Sequence, residues 1–164
     1  MKISLITVTY NSAMTLRDTI ESVLSQSYPN IEYIIVDGQS QDSTLSLIKE
    51  YEPLFKGKLR WISECDKGLY DAMNKGFRMA AGDVIGIINS DDLLAEPTVI
   101  AKVMNVFREH PDADAVYADL YYVAQNDTSR IIRHWISGTQ YSFKYGWHPA
   151  HPTFYVKREV YQKY

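Results

Sequence analysis

The stretch 82–92, Gly-Asp-Val-Ile-Gly-Ile-Ile-Asn-Ser-Asp-Asp, leaves this chain few ways to fold. Val84, Ile85, Ile87 and Ile88 form a short β-branched run punctuated by Gly82 and Gly86. That is the pattern of a strand covered on both faces of a parallel sheet. Charge cannot stay on such a strand, so it collects where the strand leaves the sheet, and Asp91 and Asp92 stand there. Ligands of open α/β sheets bind at the carboxyl ends of strands. Two adjacent carboxylates repel each other and need a cation, donors or water. Two readings follow: a hard divalent cation bridging to a substrate's phosphates, or an Asp that caps the next helix.

The rest of the chain repeats the unit. Residues 2–8 are an apolar strand that breaks at the polar turn Thr9-Tyr10-Asn11-Ser12. Leu16, Ile20, Val23 and Leu24 then recur at helical spacing, so residues 13–27 are an amphipathic helix stopped by Pro29. A second strand, 31–36, ends at Asp37-Gly38, and the loop 37–44 is rich in turn and capping residues. A helix with Leu45, Ile48 and Tyr51 inward runs to Pro53, and a third strand, 59–63, leads to Glu64-Cys65-Asp66-Lys67-Gly68. The third helix, 69–81, has Met73, Phe77 and Ala80 on one face and Gly82 as its stop. Pro97 opens the fourth helix, whose stripe is Val99, Ile100, Val103, Met104 and Phe107. Four strand–helix units in a row predict an α/β fold with a mostly parallel sheet flanked by helices.

After Pro111 the pattern changes. Residues 115–124 and 131–135 read as a β-hairpin turning at 126–129. Residues 137–152 lack periodicity and hold Tyr141, Phe143, Tyr145, Trp147, His148 and His151. A short strand, 153–156, and the start of a helix at Arg158 follow. The chain of 164 residues reads as one domain.

Lys and Arg total 17 against 20 Asp and Glu, a balance that excludes wrapping a nucleic-acid backbone. Cys65 alone excludes an internal disulfide framework or a multi-cysteine zinc site, and a reducing compartment is expected. The first residues already form a strand pattern, so no cleavable signal peptide is expected, and no apolar run is long enough to span a bilayer.

The strand ends Thr9-Tyr10-Asn11, Asp37-Gly38 and Asn89-Ser90-Asp91-Asp92 fall on one edge of the predicted sheet, with the Asp66-Lys67-Gly68 loop beside them. Neither a G-x-G-x-x-G nor a G-x-x-x-x-G-K-[ST] motif follows the first strand, which argues against a dinucleotide oxidoreductase or a P-loop NTPase. A diphosphate bound without a glycine cradle needs a cation, and the Asp pair can hold one.

These motifs together resemble family 2 glycosyltransferases of the GT-A fold. The matching segments are Thr9-Tyr10-Asn11, residues 37–44 (Asp-Gly-Gln-Ser-Gln-Asp-Ser-Thr) and residues 66–76 (Asp-Lys-Gly-Leu-Tyr-Asp-Ala-Met-Asn-Lys-Gly). Then come Ala81-Gly82-Asp83, Asn89-Ser90-Asp91-Asp92 and His151-Pro152-Thr153-Phe154. The resemblance implies that the backbone at Thr7 and Val8, with Tyr10 and Asn11, holds a nucleobase. It implies that Asp37 accepts from a base N–H, a turn-forming Asp being the alternative. Asp66 and Asn74 line the donor pocket, with a helix cap as the rival for Asp66. Asp91 lies near the ribose or donor sugar, and Asp92, with His151 as a further candidate, binds Mg²⁺ or Mn²⁺. His148 is a lesser candidate for the diphosphate or metal, and residues 141–147 for the acceptor border. Lys75 reads as a solvated helix charge.

The implied activity is transfer of a sugar from a nucleotide-diphosphate donor, a UDP-sugar in this reading, to a saccharide or lipid-linked acceptor hydroxyl with inversion. The family's catalytic base lies in an acidic motif past the helix that starts near Arg158. It therefore falls beyond Tyr164, and 1–164 is the donor part of a domain truncated at its C-terminus. Bacterial surface polysaccharide or glycolipid synthesis, in the cytoplasm or at the inner face of the membrane, is the implied setting. The alternatives are a non-catalytic nucleotide-sugar-binding module and a sugar-phosphate nucleotidyltransferase.

Overall fold

A computed structural model describes residues 1–140 and 142–163, the side chain of residue 143 left aside. Four strand–helix units come first: β1 (Ile3–Thr9), α1 (Leu16–Leu24), β2 (Ile31–Asp37), α2 (Thr44–Tyr51), β3 (Leu59–Ser63), α3 (Leu69–Met79), β4 (Val84–Ile87) and α4 (Val99–Glu109). Every residue of β1, β2 and β4 is buried, which is why these strands read as continuous rather than alternating apolar runs. After α4 come β5 (Ala115–Val116), β6 (Leu120–Ala124), β7 (Asp127–Trp135), β8 (Tyr155–Lys157) and α5 (Arg158–Lys163).

The main sheet has the order β3-β2-β1-β4-β8-β5. β1 to β4 are parallel, and β8 runs antiparallel to both β4 and β5. The chain builds outward from β1 to β3, then crosses back to lay β4 on the other side of β1. The topological switch point therefore lies between β1 and β4. On one face, Ile3 and Leu5 of β1 share a core with Leu16 and Ile20 of α1, Leu47 and Ile48 of α2, and Ile100 and Phe107 of α4. On the other, Ile6 and Val8 pack with Ala72 and Met73 of α3. Gly76 lets α3 approach β1, since a Cβ there would stand 2.5 Å from Ile6 Cγ2. Tyr161 of α5 stacks on Phe77 of α3 at 4.4 Å.

The structure departs from the sequence reading at several boundaries. α1 begins at Leu16 because a tight turn, Thr15 N to Ser12 O at 3.1 Å, precedes it. Pro97 sits in the turn before α4 rather than at its first residue. α3 stops at Met79, and Ala80 is already extended, so Gly82 is no helix stop. Its role is close approach: a Cβ on Gly82 would meet Ser4 N at 2.6 Å. The run 115–124 divides, with β5 joining β8 in the main sheet and β6 pairing with β7 in a separate two-stranded sheet. That hairpin turns at Gln125 and Asn126, and Tyr121, Tyr122, Ile131 and Ile132 are exposed on it.

At the end of the sheet opposite the switch-point crevice, buried Glu32 accepts from Ser4 Oγ (2.7 Å), Ala81 N (2.9 Å) and Lys2 Nζ (3.1 Å). Burial raises its carboxyl, but the Ser4, Ala81 and Lys2 donors outweigh that and hold it below its ordinary range. Among the described residues no helix is long and apolar enough to cross a membrane.

Candidate active site

Strand register sets the floor of the site. Thr9 of β1 lies beside Asp37 of β2, and Asp37 beside Ser63 of β3, so three strands finish level. β4 stops short: its ladder with β1 ends at Ile6 and Ile87. Among the described residues Thr7, Val8 and Thr9 thus have no β4 residue paired to them, and a crevice opens along that edge of β1. Thr7 and Val8 are buried there, and the Tyr10 side chain is exposed just beyond.

Asp37 is fully buried. Its Oδ2 accepts from Ser40 N (3.0 Å) and Ser63 Oγ (2.7 Å), and its Oδ1 from Ser40 Oγ. A carboxylate offers about four lone-pair positions, so these contacts leave room for about one more. Asp37 thereby ties the end of β3 to the turn after β2. That turn is locked to the turn after β1: Asn11 N donates to Ser40 Oγ, Gln41 N to Asn11 Oδ1 (both 2.8 Å), and Ser12 N to Thr44 Oγ1 (2.9 Å). Asn11 adopts φ 50°, a left-handed conformation that asparagine tolerates better than most residues.

Asp66 is half-buried, and its Oδ1 accepts from Gly68 N at 2.8 Å. α3 is capped at Gly68 without a side-chain bond, so Asp66 shapes the approach to the helix rather than capping it. A Cβ on Gly38 would stand 2.7 Å from Asp66 Oδ2 and 3.5 Å from Tyr10 Cδ2. Tyr10, Gly38 and Asp66 therefore converge. Lys75 is not a solvated charge: its side chain is 13% exposed, with Nζ 2.7 Å from Cys65 O and 3.0 Å from Glu64 Oε1. It clamps the loop that carries Asp66, and its four-residue spacing from Asp71 (3.9 Å) was the available sequence signal. Asn74 is exposed on α3 and joins none of these hydrogen bonds.

Across the crevice, Asp91 is exposed and Asp92 half-buried. The capping alternative falls, because α4 starts at Val99 with Thr98 at its N-cap. Asn89 Nδ2 donates to Asp92 Oδ2 at 2.7 Å. Burial pushes the Asp92 carboxyl above the usual carboxylate range; the Asn89 amide opposes this, the Asp91 charge adds to it, and the charge of His151 opposes it. The turn preceding β8 thus puts His151, 59 residues away in sequence, within electrostatic reach of Asp92 without a direct ion pair between the two. Ser12 Oγ and Ser90 Oγ, 3.0 Å apart, link the two sides. His148 is exposed, its ring 5.6 Å from that of Trp135. Tyr141, the Phe143 side chain and Tyr164 lie outside the described residues.

No group of three or more His, Cys, Asp or Glu that could hold a metal occurs among the described residues. The half-buried carboxylate of Asp92 nevertheless fits a hard cation whose other ligands are phosphate oxygens and water, the usual arrangement for Mg²⁺ in nucleotide sites. The charge that burial and Asp91 disfavour on Asp92 is what such an ion would stabilise.

A parallel sheet with its polar loops gathered at the switch point is the architecture of the nucleotide-diphospho-sugar transferases of GT-A type, and solved structures of that type match the chain. Residues 4–164 match the profile of Glycosyl transferase family 2, and the chain belongs to that family. A PGL/p-HBAD biosynthesis glycosyltransferase of Mycobacterium bovis is 33% identical over 123 residues, covering 75% of this chain and 48% of the relative. The chain thus spans about half the length of such relatives. Staphylococcus aureus TarS 1-349 in complex with UDP-GlcNAc superposes with a TM-score of 0.76 at 19% identity, over 99% of this chain and 47% of that one. The mannosyltransferase PcManGT from Pyrobaculum calidifontis, in complex with GDP-Man and Mn²⁺, gives 0.75 at 20% identity, over 99% and 46%.

Proposed function

We propose that residues 1–164 are the donor-binding part of an inverting, metal-assisted glycosyltransferase, truncated at the C-terminal side of its GT-A domain. The observation that carries this reading is the convergence of Tyr10, Gly38 and Asp66 on one side of the switch-point crevice, joined through the Ser12–Ser90 contact to the loop that carries Asp92 on the other. The donor is a nucleotide-diphospho-sugar, most simply a UDP-sugar. The backbone at Thr7 and Val8, the Tyr10 ring and Asn11 hold the base. Asp37, fully buried in the unliganded chain, would accept from a base N–H only once the turn at Ser40 opens towards the ligand; Asp66 and Asn74 line the pocket, and Asp91 faces the ribose or sugar.

Asp92, with His151 as a further candidate, would hold Mg²⁺ or Mn²⁺. A bound divalent cation there supplies Lewis-acid stabilisation of the leaving diphosphate. The nucleotide-sugar complexes of the structural neighbours, one of them with Mn²⁺, support this choice of ligand. The acceptor hydroxyl, on a saccharide or a lipid-linked sugar, attacks from the face opposite the diphosphate and yields its proton to a carboxylate. We place that carboxylate beyond Tyr164. Asp119 is a poor substitute, since its oxygens already engage His134 Nε2 (3.3 Å) and Ser137 N (2.9 Å). The relative in PGL/p-HBAD biosynthesis favours surface glycolipid or polysaccharide assembly. Such donors are cytosolic, which puts the protein in the cytoplasm or at the inner membrane face.

Calorimetric titration with UDP, GDP, CDP and ADP, each with Mn²⁺ and then with EDTA, tests the reading. One nucleotide is expected to bind in Mn²⁺ and at least tenfold more weakly in EDTA. Failure of all four to bind under either condition would overturn it. Gly38→Ala is a sharper probe. The added Cβ displaces the Asp66 carboxylate from the bond it accepts at Gly68 N, while the Gly38 backbone conformation suits alanine. Affinity for the bound nucleotide is expected to fall about tenfold, the worth of roughly 1.4 kcal/mol, with little change in melting temperature.

A further inference from the structure

The segment between β4 and α4, residues 88–98, has no regular secondary structure, yet it carries the Asp pair. Its support comes from α1. Thr19, Ser22 and Gln26 are spaced three and four apart, so they share one side of that helix and its exit. Thr19 Oγ1 donates to Asp92 O (2.7 Å), and Ser22 Oγ accepts from Leu94 N (3.1 Å). Gln26 Nε2 donates to Glu96 O (2.9 Å), while its Oε1 accepts from Ile100 N (3.1 Å). Ser27 N closes the row on Pro97 O (2.8 Å).

The partners in the loop fall at every second residue, 92, 94 and 96, as they would on an extended strand. The hydrogen bonds of Thr19 Oγ1, Ser22 Oγ, Gln26 Nε2 and Ser27 N are spread along 92–97 in the same chain order. The loop therefore runs alongside α1, tied to it once per two residues. Thr19 is 1% exposed, so its hydroxyl has no solvent partner to replace the Asp92 carbonyl.

We propose that Thr19, Ser22 and Gln26 are positioning residues that fix the backbone at Asp92 at the carboxyl edge of the sheet, and so set the affinity of the site for a metal-bound nucleotide without touching it. The functional half of this inference rests on the donor-site reading above. Thr19→Val keeps the shape and deletes the donor; Thr19→Ser keeps the donor.

Hydrogen exchange of the unliganded chain, read by mass spectrometry, is the first arm. Thr19→Val is expected to speed exchange at least tenfold in peptides covering 91–97 and to leave β1 and β2 unchanged, with Thr19→Ser close to wild type. Gln26→Leu, farther from the core, is expected to give the same local effect nearer 96–100. Unchanged exchange in 91–97 for both Thr19→Val and Gln26→Leu would overturn the positioning role.

The second arm is nucleotide titration. Thr19→Val is expected to lose at least tenfold in the Mn²⁺-dependent part of the affinity while metal-free binding stays the same. A merely structural role would not split the two. Local loosening with wild-type Mn²⁺-dependent affinity would overturn the control of the site. Absence of Mn²⁺-dependent binding in the wild type itself would instead defeat the donor-site reading, and the exchange data would still decide whether the stripe holds the loop.

Discussion

Asp92→Ala is expected to raise the dissociation constant of the Mn²⁺–nucleotide complex at least a hundredfold, about 2.7 kcal/mol, and to leave the affinity in EDTA where it was. The geometry makes this the largest functional effect in the chain. Asp92 is a half-buried carboxylate on the β4 side of the switch point, its carboxyl already held above the ordinary range by burial. On the proposed donor-site reading, removing it would delete a charge that stabilises the cation and would leave the proposed nucleobase contacts across the crevice intact. Stability should respond in the opposite sense. A carboxyl whose folded pKa is raised costs stability at pH values above its unfolded pKa, because the fold disfavours the charged form. Asp92→Asn, which keeps the shape, is therefore expected to melt no lower than wild type at neutral pH while binding Mn²⁺–nucleotide far more weakly. Equal losses with and without the metal would sink the assignment of Asp92 to the cation.

Gly82→Ala should be the most damaging small substitution for the fold. The added Cβ would stand 2.6 Å from Ser4 N, 2.7 Å from Ser4 Oγ and 2.9 Å from the Ile3 carbonyl carbon, so the obstacle is the backbone of the central strand rather than a flexible side chain. β1 is paired on both sides and cannot retreat. The same crowding disturbs Ser4 Oγ, which accepts from Gly82 N at 2.8 Å and donates to Glu32 at 2.7 Å, so it also loosens a buried carboxylate. Overpacking and a weakened buried hydrogen bond together should cost about 3 kcal/mol. For a domain of this size that lowers the melting temperature by roughly 10 °C. Urea and thermal unfolding measure it. Because the site lies at the other end of the sheet, nucleotide affinity well below the transition should be unchanged. A melting temperature within about 2 °C of wild type would mean that β1 can yield after all.

Much of the architecture was legible because buried parallel strands expel their charges to their ends. Asp37 and Asp92 could be set on one edge of a sheet from apolar runs alone, and the parallel order followed from the repeated unit. What the sequence concealed was non-local. Gly82 looks like a helix stop because the demand on it comes from Ser4, 78 residues earlier. Lys75 looks solvated because its carbonyl partner lies in the preceding loop. The stretch 115–124 looks like one strand because nothing near it announces that β5 belongs with β8. Thr19, Ser22 and Gln26 do share a helical side, but polar residues there ordinarily face solvent, and only the loop packed against them gives them partners. His151 became a candidate beside Asp92 only through the family resemblance, since no spacing rule joins the two segments.

The antiparallel strand β8 has a consequence for how the molecule comes into being. It lies between β4 and β5, so until Tyr155, Val156 and Lys157 arrive, β4 is an outer strand with four buried-type residues and an open row of backbone groups. Such an edge is a template for pairing with other chains. A nascent chain that has made its four strand–helix units is thus still adhesive along one border. The same late event that seals this border also sets the turn carrying His151 on the Asp92 side of the crevice, so a molecule that has finished this side of its site is one that has already covered the open edge of β4.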